Sequence, residues 1–118
     1  MQTPRRIESN IPFDVINDLG NGKYYYNFDR DSYKVETVGM NNEPITEIRY
    51  SCIQVKLNSK PTYKTCVAAI LRQFVTESEE FDLINSQTES DDDAQKYSDY
   101  LAKRLEIKSL IKRDFENE

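Results

Sequence analysis

The fifteen residues Lys60–Phe74, KPTYKTCVAAILRQF, constrain this chain more than any other stretch. Tyr63, Val67, Ile70, Leu71 and Phe74 fall at i, i+4, i+7, i+8 and i+11. That spacing sets five bulky groups on one helical stripe. Pro61 pre-sets a backbone angle suited to a helix start, and Thr62 can cap the first free N–H groups. Ala68 and Ala69 favour helix, and Arg72 is the sole charge between Cys66 and Phe74. Such a helix has to be largely covered. Each large apolar side chain it buries contributes roughly 1.5–3 kcal/mol before entropy is counted. The expected role is the core helix of the fold; the sharper alternative is that part of the stripe docks onto a partner chain.

The segments before this helix read as strands. Asn21-Gly22 is a turn signal. Beyond it Tyr24, Tyr26 and Phe28 alternate with Tyr25, Asn27 and Asp29, a period-two pattern rich in aromatics. Asp29-Arg30-Asp31-Ser32 is polar and turn-like, so Tyr33–Val38 reads as the second arm of a hairpin. Gly39 and the run Asn41-Asn42-Glu43-Pro44 supply the next turn. Ile45–Leu57 is a long third strand whose apolar parity changes at Cys52-Ile53. Either a bulge there returns both halves to one core, or both faces are covered; the bulge is preferred for so short a chain. Upstream, Phe13, Ile16 and Leu19 recur every three residues between Asn10 and Gly20, which favours a short helix over Ile11–Leu19. Residues 1–10 are polar and carry Arg5 and Arg6, and read as a loose arm.

After the core helix, Thr76-Glu77-Ser78-Glu79 fits a capping box, with Phe81 and Ile84 as anchors of a second helix. Residues 85–93 form a polar break. The acids Asp91–Asp93 lack the spaced ligands, mid-loop Gly and distal Glu of a calcium loop, and suit the start of a helix instead. Ala94–Phe115 is the final helix. Ala94, Tyr97, Leu101 and Leu105 make one apolar stripe; Tyr100, Ile107, Leu110 and Ile111 broaden it. Its Lys and Arg residues cluster toward the C-terminus, opposite a segment, 77–93, with eight acids and no base. The expected fold is α+β: a three-stranded antiparallel β-meander over 21–57, then three helices over 61–115 packed on the sheet, in a single domain spanning 1–118 with 1–10 as a flexible arm.

Composition narrows the function classes. The chain has 118 residues, a net charge of −5 and no histidine. Without histidine the commonest general base and metal ligand are gone, as are the usual serine and cysteine triads. Three glycines, at 20, 22 and 39, form no phosphate cradle. No catalytic, cofactor-binding or metal-ligating set is recognisable, and the chain is expected not to be an enzyme. The acidic balance argues against direct binding of nucleic acid. No apolar run approaches the roughly 20 residues that span a bilayer, and MQTPRRIESN has no apolar signal core. The expected setting is the host cytoplasm or a virion. Cys52 and Cys66, each beside an apolar neighbour, are expected as buried free thiols.

Eight tyrosines and no tryptophan remain. Exposed tyrosines give stiff amphipathic contact area. The candidate interaction surface is Tyr24, Tyr25, Tyr26, Tyr33, Tyr100, Ile107 and Ile111, for a protein partner or self-association. Two alternatives stand beside it. One is a glycan-binding module using outward rings such as Tyr25; the other is an acidic decoy of a nucleic-acid-binding protein, built on Glu77–Asp93.

The run YSCIQVKLNSKPTYKTCVAAILRQFVTESEEFDLINS, followed by KYSDYLAKRLEIKSLIKR, resembles small uncharacterised proteins encoded by phages and prophages of gut bacteria. Those proteins share aromatic strands, a helix opening after a Pro-Thr pair, a capped acidic helix and a final charged helix. The resemblance is one of pattern over residues 24–113. It implies a virion-associated or phage-accessory protein, names no activity and carries over no functional residue.

Overall fold

The computed structural model describes residues 1–116, an α+β protein with a four-stranded antiparallel sheet and three helices. The contacts fall into two compact units, Arg5–Ser59 and, with Met1–Pro4, the chain from Lys60 onward.

The sheet unit holds β1 (Ile7–Ser9), β2 (Ile16–Gly20), β3 (Lys23–Val38) and β4 (Pro44–Leu57) in the order β1-β4-β3-β2. The expected three-stranded meander is therefore corrected to four strands. Asn21 and Gly22 both take positive φ, 56° and 74°, the geometry of a two-residue hairpin turn. That turn commits the preceding residues to pair, so Ile16 sits opposite Tyr26 and Asn17 opposite Tyr25. The helix expected over Ile11–Leu19 gives way to strand β2, because hairpin closure outweighs a three-residue apolar spacing. Leu19, one of the residues in that spacing, is exposed. The loose arm expected over 1–10 is also corrected. The Gln2 N–H donates to the Phe74 carbonyl at 2.8 Å, and Ile7 pairs with Cys52 in the sheet. Three residues of strand are too few to show a period in the sequence.

The expected hairpin with a turn at Asp29–Ser32 is instead one long strand, β3, paired along its length with β4. Phe28 lies opposite Ile53 and Asp31 opposite Ser51, so Asp29 and Arg30 together face Cys52. One extra residue thus enters β3, with Asp29 at a positive φ of 51°. The bulge expected in β4 at Cys52-Ile53 lies across the ladder in β3. It keeps Tyr24, Tyr26, Phe28, Tyr33 and Val35 on one face, while β4 changes its apolar face and buries both Cys52 and Ile53. Arg6 brackets the bulge. Its Nη1 donates to Asp29 Oδ2 at 3.0 Å, its Nη2 to the Asp29 carbonyl, and its Nε to Ser51 Oγ at 3.1 Å.

β1 and β2 occupy opposite edges of the sheet, so residues 10–15 must cross β4 and β3, about 14 Å of strand spacing. They cross the face that carries Asn27. This side chain is fully buried and uses every polar valence it has. Nδ2 donates to the Asp14 carbonyl and to Asn17 Oδ1, each at 2.7 Å. Oδ1 accepts from Gln54 Nε2 at 2.9 Å and from Cys52 Sγ at 3.8 Å. A buried amide satisfied on all sides fixes one register and one crossing path.

The helical unit holds α1 (Tyr63–Phe74), α2 (Glu77–Ser86) and α3 (Asp91–Glu116). Thr62 and Thr65 form a reciprocal cap on α1, and Thr76 and Glu79 do the same on α2. α3 opens with Asp91, Asp92 and Asp93 in its first turn. It packs against both other helices. α1 buries Cys66, Ile70, Leu71 and Phe74, and α3 buries Tyr100, Ile107, Ile111 and Asp114. Lys103 Nζ lies 4.5 Å from the Phe74 ring centroid, a cation–π contact at the edge of this packing. Cys52 and Cys66 are both buried free thiols.

Candidate functional site

Two surfaces stand out, one on each unit. On the sheet, β1 reaches β4 only at Tyr50–Cys52, and β2 pairs β3 only from Lys23 to Tyr26. Beyond these, Tyr33–Val38 and Pro44–Arg49 have only each other among the described residues. They form a two-stranded ribbon whose outer N–H and C=O groups meet no third strand. Its tip is apolar and wet: Met40 is 94% exposed, Val38 71%, and Ile45 and Ile48 are exposed as well. Two strands alone are marginal in water. Lys34, Glu36, Glu47 and Arg49 alternate along the ribbon, and such charges guard an open edge against indiscriminate pairing.

On the helical unit a groove of about 380 Å³ runs between α1 and α3. Val67, Ala68 and Leu71 form its floor; Lys64, Arg72, Arg104 and Lys108 stand around it. Glu80 of α2 is the one carboxylate on this wall, and it is fully engaged. Arg72 Nη2 donates to Oε1 at 2.8 Å, and the Tyr100 hydroxyl donates to Oε2. The Tyr100 bond, with Arg72 beside it, holds Glu80 below the usual carboxylate range. Burial first, then the hydrogen bond to Glu80 and its charge, push Tyr100 up to about 12. Among the described residues Lys64 and Lys108 form no ion pair.

The seven residues expected as an interaction surface separate. Tyr26, Tyr100, Ile107 and Ile111 are buried, so they are core and offer no contact area. Tyr26 is buried on β3, and the other three are buried because α3 carries two apolar stripes and covers the one through Tyr100 and Ile107. Leu101 and Leu105, on the other stripe, are exposed. Tyr24, Tyr25 and Tyr33 are half-buried in the sheet. The nearby Glu8 carboxylate is the main cause of the raised pKa of Tyr33. The groove cations were visible in the sequence as a basic half-helix, but nothing there joined them to Lys64 and Val67 on α1. The role of Asn27 has one signal in the sequence, a polar residue in the middle of an aromatic strand.

Among the described residues no group of three or more acids and cysteines could hold a metal ion. No described helix is long and apolar enough to cross a membrane. No protein-family model, curated protein or solved structure matches this chain.

Proposed function

We propose that this protein is a non-catalytic interaction protein that works by protein–protein association. The observation that carries the reading is the ribbon, with two unpaired edges and a tip of exposed Val38, Met40, Ile45 and Ile48. Such an edge takes a partner by strand addition: backbone hydrogen bonds supply affinity and alternate side chains supply selectivity. The pattern resemblance over residues 24–113 supports placing this association in a virion or among phage-accessory proteins.

Val35 and Glu47 are register partners, so an Asn-Gly turn can replace residues 36–46 and close a shorter ribbon. The shortened chain should fold, judged by circular dichroism, and lose capture of the partner that the intact chain retains from its native source. Equal capture by both chains would remove the ribbon from the mechanism.

A further inference from the structure

α2 is an acidic helix with no buried residue. Glu77, Phe81 and Ile84 fall at i, i+4 and i+7, on one face. Phe81 is 68% exposed and Ile84 45%. The helix has four acids and no base. An aromatic ring and a branched side chain on an acidic ground are what an anchoring helix presents to a partner.

The α1–α3 groove is the complement of that face. It has an apolar floor of Val67, Ala68 and Leu71, with Lys64 and Lys108 in no ion pair among the described residues. Its 380 Å³ lies at the small end of ligand-burying clefts, about 300–1,000 Å³, enough for a ring and a branched side chain. The molecule's own α2 does not fill it. Glu80 already stands on the groove wall, and Phe81, about 100° further round the helix, is no part of the lining.

We infer that the groove receives α2 of a second copy of this chain. Phe81 and Ile84 seat on Val67 and Ala68, while Glu77 meets the cations Lys64, Arg104 and Lys108. The inference rests on the reading of this protein as one that works by association, and it concerns the helical unit alone. Each copy offers both a groove and an α2, so the contact is head-to-tail. Assemblies built this way close into rings or grow as filaments.

Two variants test the contact. Phe81→Glu spoils the anchor, and Lys64→Glu with Lys108→Glu spoils the groove; all three positions are at or near the surface, so circular dichroism should be unchanged. In sedimentation velocity the parent chain should self-associate, about tenfold more weakly at high salt, and each variant alone should be monomeric. Mixed, the two should form a one-to-one dimer and stop there, since one intact groove meets one intact α2. Self-association by Phe81→Glu equal to the parent would overturn the inference while leaving association itself in place. So would loss of self-association on shortening the ribbon alone. A parent chain that stays monomeric at every concentration and salt would overturn it too, and partner capture by the ribbon would then decide the broader reading separately.

Discussion

The Tyr100 hydroxyl donates to Glu80, whose second carboxylate oxygen accepts from Arg72 at 2.8 Å. This joins α2 to α3 and to the end of α1 through one side chain.

That arrangement makes stability depend on pH at both ends. Glu80 titrates lower in the folded chain than in the unfolded one. Its contribution is complete above the ordinary carboxylate pKa of about 4.3 and fades as pH falls through the folded value. Tyr100 is held up to about 12. The unfolded chain releases this proton near pH 10 and the folded chain later, so stability declines between about 10 and 12. Urea unfolding of the parent and Tyr100→Phe across pH should show the variant less stable by about 1–3 kcal/mol at neutral pH. The gap should narrow in acid and again above pH 10.

Asn27 should be intolerant of replacement. Asn27→Ala leaves the Asn17 and Gln54 amides and the Asp14 carbonyl short of a partner. The expected loss is about 2–4 kcal/mol, larger than for an exposed asparagine. Asn27→Asp keeps the shape but turns two donors into acceptors facing Asn17 Oδ1 and the Asp14 carbonyl. It should destabilise further as pH rises above the carboxylate range. Denaturant midpoints at pH 4 and pH 7 check both.

Arg6 holds the one residue of β3 that leaves the ladder. Arg6→Ala should cost about 1 kcal/mol, because the pair with Asp29 is partly exposed and solvent screens it. Arg6→Lys should recover only part of this, since an ammonium cannot reach Asp29 and Ser51 in the same forked geometry. Melting curves of the two variants separate charge from geometry.

The caps give a local test. Thr62→Ala and Thr76→Ala each remove a hydroxyl that accepts from a free backbone N–H, at 3.2 Å and 3.1 Å. Each should cost about 1 kcal/mol. Thr76→Ala should also speed amide exchange in the first turn of α2, which has no buried residue to hold it.

Ribbon amides should exchange in two classes. Those of Tyr24–Tyr26 lie between two strands, whereas those of Tyr33–Val38 and Arg49 lie in a pair without neighbours. Hydrogen exchange should be faster in the second group, and binding of a strand to the open edge should slow it.

Much of the helical unit was legible in the sequence because its signals are local. Pro61-Thr62, Thr76 with Glu79, and the acids before Ala94 mark helix starts within four residues. The sheet was less legible because its decisive features join distant residues. Asp29-Arg30-Asp31-Ser32 has turn composition, yet Arg6, 23 residues away, closes it into a bulge. The parity change at Cys52 is real, but its compensation sits on the neighbouring strand. On α3 two stripes were visible, and only packing could choose the one through Tyr100. The groove joins residues of α1 to residues of α3 some forty positions on, which no window of sequence brings together.

The placement of β1 and β2 on opposite rims carries a consequence for biosynthesis. Ile7–Ser9 leave the ribosome before Tyr50–Cys52 and have no mate until those residues follow them out. The amide that anchors the crossing, at Asn27, likewise arrives later than the Asp14 carbonyl it grips. Strand β1 is therefore among the last parts of the sheet to settle, and a stalled nascent chain ending before Tyr50 would expose an unlatched strap to chaperones and proteases.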